Sequence, residues 1–440
     1  MIRRLGSEAP RKEIRIADAS YPAPFTGGLE YSAPARGTWN IVHTGMLIPE
    51  AHEIFVCAQG CLRGVVLTAA EMGVPERFST VAVRENNVTD GDLEDSLIEG
   101  VSDILEKLPE KPPAVLVYTS CIHHFMGADL DHIYKTLRER FPEIDFTDCY
   151  MNPIMRKSGL TPDQLMRRQL YSLLHGAPRR ERTLLVAGGD FMTDDAGDLV
   201  TQLRQNGWEI LEIQRTHTYA EYQTLAGAAL CMTNQPGAIP GGKLLEDRFG
   251  MPHLHLPVSF DYDEIAANWQ RLGEAAGIPV PDFASEIDKC EAALTRAKAS
   301  IGDAPVEIDY TVTSRPLSLA RMLLSHGFRV TKVYLDGISG EEQDDFLALQ
   351  KTCPDLLLSP TVDPVMRVRP RETEETTLAV GQKAAYFTGT DRFVNLVENG
   401  GFWGYHAVHG MAELMREAWE TPKDAKSLIQ IKGWGCSSCL

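Results

Sequence analysis

Ile54-Phe-Val-Cys57-Ala-Gln-Gly-Cys61-Leu-Arg-Gly-Val-Val-Leu67 and Ala114-Val-Leu-Val-Tyr-Thr-Ser-Cys121-Ile-His-His-Phe125 decide how the chain is read. Each stretch begins as a short apolar strand and delivers a cysteine at its C-terminal end, where ligand sites form in open parallel sheets. Thiolates are soft ligands that favour zinc or iron-sulfur clusters. Three of them, Cys57, Cys61 and Cys121, leave a tetrahedral site or a cubane one ligand short, so a fourth ligand has to come from elsewhere. A single free cysteine packs like a small hydrophobe; three at predicted strand ends point to one site. Cys149 closes a further predicted strand on the same edge and is a reserve ligand. His123 and His124, directly after Cys121, are placed to donate to a cluster sulfur or to pass a proton.

Working outward, strands are expected at 54–57, 80–83, 114–121 and 144–150, alternating with helices over 62–72, 92–108 and 129–140. That alternation indicates a parallel, doubly wound sheet. Thr161-Pro-Asp-Gln164 has the pattern of a capping box with proline in the first turn, so a helix is predicted from there to about 174. Charged Pro178-Arg-Arg-Glu-Arg182 marks a boundary. Beyond it the expected strands are 183–187, 209–213, 228–232 and 253–257, with a helix over 242–249 stopped by Gly250. A helix is also predicted over 282–301. A third unit has strands at 306–312, 329–335, 355–358 and 384–388, and a helix over 315–326 whose crossover should be right-handed. The central strands of the three sheets are predicted at 113–121, 183–187 and 384–388. The expected fold class is therefore α/β: an arm over 1–37 that clasps a partner, then Rossmann-like parallel-sheet units over 38–177, 178–304 and 305–440.

A chain of 440 residues exceeds one ordinary core, and domain-size statistics suggest about three units. A formal net charge of -18 argues against nucleic acid as a partner, because holding phosphates needs clustered Lys and Arg. No apolar run is long enough to span a membrane. Met1-Ile-Arg-Arg-Leu-Gly-Ser-Glu lacks the apolar core of a signal peptide, so a cytoplasmic location is expected. Nine cysteines then read as metal or redox chemistry, not as a disulfide framework.

Lesser signals remain. Ala187-Gly-Gly-Asp190 after a strand could cradle a phosphate, but it lacks the full glycine fingerprint. His406 and His409 share a helical face without a third ligand. Cys436-Ser-Ser-Cys439 has redox-motif spacing without the strand-to-helix context. Cys231, Cys290 and Cys353 read as packing residues.

Taken together, these motifs resemble the larger component of nitrogenase (component 1, the molybdenum-iron protein) and of nitrogenase-like reductases. Cys57-Ala-Gln-Gly-Cys-Leu-Arg-Gly-Val-Val66 is similar to the segment carrying the first bridging-cluster cysteine, and Thr119-Ser-Cys-Ile-His-His-Phe-Met-Gly-Ala-Asp-Leu130 to the later one. Leu244-Leu-Glu-Asp-Arg-Phe-Gly-Met-Pro252, Ser314-Arg-Pro-Leu-Ser-Leu-Ala320 and Gly401-Phe-Trp-Gly-Tyr-His-Ala-Val-His-Gly410 extend the likeness over nearly the whole chain. The resemblance implies three Rossmann-like domains and a homologous partner subunit in a heterotetramer. It also implies a bridging iron-sulfur cluster, P-cluster-like or 4Fe-4S, on Cys57, Cys61 and Cys121, with electrons from an ATP-hydrolysing iron protein. A larger iron-sulfur cofactor in the complex is a further expectation.

Two departures shape that expectation. Residues 62–120 contain no cysteine, so Cys61 stands in for the ligand that relatives carry between the two motifs. Catalytic subunits hold their large cofactor with a cysteine before the Phe-Gly-Met-Pro-like segment and a histidine before the Gly-Tyr-like segment. Here the second place reads as Trp403, and Cys231 is out of register with the first. The resemblance thus points away from nitrogen fixation and toward reduction of another small substrate, a methylthio-alkane being the candidate. The alternative is a scaffold on which a complex iron-sulfur cofactor is assembled.

Overall fold

A computed structural model describes residues 12–430 apart from 34, 36–39, 153, 156–158 and 369–374. Its strands in chain order are β1 Ile14–Arg15, β2 His52–Ala58, β3 Phe78–Val83, β4 Ala114–Ser120, β5 Asp145–Met151, β6 Arg180–Val186 and β7 Glu209–Leu211. There follow β8 Ala228–Thr233, β9 His253–His255, β10 Pro305–Asp309, β11 Arg329–Tyr334, β12 Leu357–Ser359, β13 Leu378–Val380 and β14 Phe393–Val394. They form three sheets, ordered β3-β2-β4-β5, β7-β6-β8-β9 and β1-β12-β11-β10-β13-β14. Every pairing is parallel except that of β1 with β12.

The first sheet buries its two central strands on both faces. All seven positions of β4 and six of the seven in β2 are buried, as expected of parallel strands covered on both faces. Alternate residues serve opposite cores. Phe55, Leu116 and Tyr118 pack with Val65, Ala69, Met166 and Leu170 on one side. Ile54, Val56, Val115 and Val117 meet Leu97, Val101, Ile133 and Leu137 on the other. At Thr161 the predicted capping box is present, with Thr161 Oγ1 accepting from the Gln164 N–H at 3.2 Å. That helix, Pro162–Gln169, stops short of the expected 174.

Three other expectations change. Residues 384–388 are not a central strand but lie in the helix Gln382–Thr388, buried at 384–388. A short, uniformly apolar run carries no period that separates a buried helix from a buried strand. The place beside β10 is taken by β13 instead. In the amino-terminal arm, β1 extends the third sheet and Ile16 is buried in its core, so part of the arm packs on its own chain. The helix Tyr262–Ala276, unanticipated, supplies Trp269 to a core shared by the second and third sheets. Trp269 meets Trp403 edge-on at 5.3 Å and donates through Nε1 to Asp198 at 3.0 Å. Asp198 also accepts the Tyr405 and His406 N–H groups at 3.1 Å, capping the helix Tyr405–Glu420 from a distant part of the chain. Among the described residues, no helix is long and apolar enough to cross a membrane.

Candidate cluster site

In the first sheet the chain reverses its direction of growth between β2 and β4: β3 is added on one side of β2, then β4 and β5 on the other. Crevices at such reversals, outside the carboxyl ends of the strands, are where ligands bind in open α/β sheets. Cys57 is the penultimate residue of β2, and Cys61 sits in the first turn of the helix Gln59–Glu71 that follows. Cys121 opens the helix Cys121–Met126 directly after β4. Val56 pairs with Thr119, so both strands deliver their cysteines to the same edge, roughly one strand spacing, about 4.8 Å, apart.

Cys57 is buried, Cys121 half-buried and Cys61 exposed. Burial, then the neighbouring Cys61 and Cys121 sulfurs, push the Cys57 thiol up to about 12. The three sulfurs therefore lie within electrostatic reach of one another. Three thiolates brought together there would be costly unless cationic charge offset them. That donor set fits an iron-sulfur group, whose iron supplies the charge. Among the described residues, no three His, Cys, Asp or Glu side chains are drawn close enough to chelate one ion.

The two histidines, alike in sequence, differ in the fold. Residues two apart on a helix point about 200° apart, whereas those three apart share a face. His123 is thus turned away from Cys121 and is buried. Its Nδ1 accepts from the Ser120 N–H at 3.3 Å, which leaves the proton on Nε2, an atom without a partner. It lines a cleft of about 200 Å³ with Thr119, Tyr150 and Asn152, a cleft that His124 also borders. His124 shares the Cys121 face and is exposed, its ring 6.2 Å from that of Phe125. His124→Ala is accordingly expected to leave iron content intact and shift the midpoint potential in a redox titration. His123→Ala should leave the potential in place and lower thermal stability.

Other candidates are committed elsewhere. Cys149 pairs with Tyr118 inside the sheet, and burial holds its thiol well above the ordinary value. Cys231 is buried in β8, and the Cys290 thiol donates to the Tyr405 carbonyl at 3.2 Å. His406 bonds Asp194 at 2.8 Å, and its ring is 6.3 Å from that of His409. The Gly188 N–H donates to the Tyr171 hydroxyl, while the Gly188 carbonyl accepts from Gln235 at 3.0 Å. This loop turns carbonyls into its crevice where a phosphate needs amides. Cys436 and Cys439 lie outside the described residues.

Three parallel or largely parallel sheets, with Cys57, Cys61 and Cys121 at the reversal of the first, define an α/β scaffold of Rossmann-like units. The model of the nitrogenase component 1 type oxidoreductase family matches residues 42–417, and the chain belongs to that family. Among solved structures it is similar to "Nitrogenase Cp1 at pH 6.5", at 15% identity and a TM-score of 0.64, covering 90% of this chain and 94% of that one. "Nitrogenase Cp1 at pH 5" matches at 14% identity and a TM-score of 0.59, with 90% of each chain covered. No curated protein matches.

Proposed function

We propose that the chain is the iron-sulfur subunit of a nitrogenase-like two-component reductase, with a cluster held by Cys57, Cys61 and Cys121 against a homologous subunit. The observation that carries this is the convergence of the three thiols at the β2/β4 reversal, one of them solvent-facing. The two helices that carry Cys61 and Cys121 also expose large apolar side chains. Val66, on the helix that carries Cys61, is 42% exposed, and Phe125 and Met126, on the helix that carries Cys121, are 68% and 50% exposed. Large apolar side chains grouped beside incompletely covered ligands mark an interaction surface. A homologous subunit seated there would supply the missing coordination and close the site to water.

When bound, the cluster supplies a one-electron store. The chain's own residues hold it, exclude water through β2 and β4, and place His124 at its side. An ATP-hydrolysing iron protein is the electron donor in this reading, and the substrate is a small molecule, a methylthio-alkane being the candidate.

The test is reconstitution with the partner subunit and the iron protein under anaerobic conditions. In a reductase, visible bleaching requires ATP, reverses on adding substrate, and leaves iron on the chain after many cycles. Iron that departs stoichiometrically to an acceptor protein would identify an assembly scaffold instead.

A further inference from the structure

The second sheet reverses its growth between β6 and β8, so the same topological rule places a ligand crevice at their carboxyl ends. One wall of that crevice is Asn234 and Gln235, which precede the Phe-Gly-Met-Pro segment; the other is the run from Glu398 to Phe402, which precedes Gly404-Tyr405. The two chain segments that flank a large cofactor in catalytic relatives thus meet here. What they present is amide and carboxyl oxygen, with no thiol or imidazole. Trp403 is not in the crevice: its Nε1 donates to the Leu256 carbonyl at 2.9 Å and the ring is buried.

Two carboxylates of its lining, Asp190 and Glu398, are tied together by an arginine. Arg167, 1% exposed, meets Asp190 through both terminal nitrogens at 2.7 and 3.1 Å, Glu398 at 3.2 Å and Asp163 at 3.2 Å. Its guanidinium also donates to the Gly188 carbonyl, and Thr44 donates to Asp190 at 3.3 Å. Thr44 and Arg167 come from the block 38–177, Asp190 from 178–304 and Glu398 from 305–440, so one cation ties all three together. Glu398 and Asn399 have φ of 47° and 64°, a conformation that costs non-glycine residues about 1–3 kcal/mol each. They are pinned there by N–H bonds to the Thr311 and Val312 carbonyls at 2.8 Å. The crevice itself keeps about 10 Å³, room for one water at most, and a wider cleft of about 520 Å³ opens beside it past Asp190, Phe191 and Gln214.

We infer that this chain carries no cofactor at the junction of its three sheets: an ionic lock centred on Arg167 occupies that place, and any large iron-sulfur cofactor of the complex belongs to the partner subunit. The inference rests on the reductase reading only for the existence of such a complex. Removing the lock to admit a cluster would leave Asp190 buried without its counter-charge, so a cofactor cannot enter merely by side-chain rotation.

Anomalous diffraction at the iron edge, from crystals of the anaerobically purified complex, tests this directly. The expected map has iron beside Cys57, Cys61 and Cys121 and none in the crevice between Asn234 and Glu398. Iron in that crevice would overturn the inference. A crevice free of iron together with thiols free of iron would sustain the lock and overturn the functional reading, so the two failures are separable.

Discussion

Arg167→Met should destabilise the chain by about 3–5 kcal/mol, the range for removing one partner of a buried ion pair. The size follows from what is left behind: the Asp190 side chain is fully buried and keeps the Thr44 hydroxyl and the Glu398 carboxyl as hydrogen-bond partners, but no cation. Arg167 holds the Asp190 carboxyl below its usual range, so that charge is present in the folded state at neutral pH. Glu398 differs. Burial raises its pKa well above the ordinary value, which favours the protonated carboxyl. Above the unfolded value the unfolded chain releases a proton that the folded chain keeps, and the Glu398 contribution therefore falls as pH rises. Glu398→Gln should be close to neutral at low pH and should flatten this alkaline loss. Urea melts across the neutral range check both. An Arg167→Met variant as stable as the parent would show that the lock contributes nothing.

Cys57→Ala, Cys61→Ala and Cys121→Ala should each lower iron content, bleach visible absorbance and weaken association with the partner subunit. Each removes a third of the thiolates this chain offers, and the cluster bridges the two subunits in this reading. Cys57→Ala is expected to be the most severe for metal retention, because its sulfur lies in the buried end of the site. Cys61→Ala should act most on assembly, since Cys61 is exposed on the face left for the partner. Cys290→Ala and Cys353→Ala should do neither. Cys290 is committed to the Tyr405 carbonyl, and Cys353 caps the carboxyl end of the helix Gln343–Thr352 far along the chain.

The first two sheets were legible because β2, β4 and β8 are six- or seven-residue strands made mainly of apolar residues, and β6, which begins Arg180-Glu-Arg-Thr, ends on Leu184-Leu-Val186. The third was not fully so. Its β13 and β14 have three and two residues, too few to show a period, and the stronger apolar run next to them forms a helix. The thiol site could be found from sequence because each cysteine ends a recognisable strand or begins the next helix. Separating His123 from His124 needed the helix Cys121–Met126, whereas from sequence a strand ends at Cys121 and no helix starts before 129. The Arg167 lock left no local trace, because Arg167 and Glu398 are 231 residues apart and each looks like an ordinary surface charge.

The account stands most directly on the iron and acid-labile sulfide content of the anaerobically purified complex, parent against the variant with Cys57, Cys61 and Cys121 all replaced by alanine. The prediction is that the parent holds iron and sulfide in equal amounts with a visible charge-transfer band, and that the triple variant loses the interface cluster and that part of the band. A triple variant that kept its full iron, sulfide and spectrum would contradict the assignment of these three thiols.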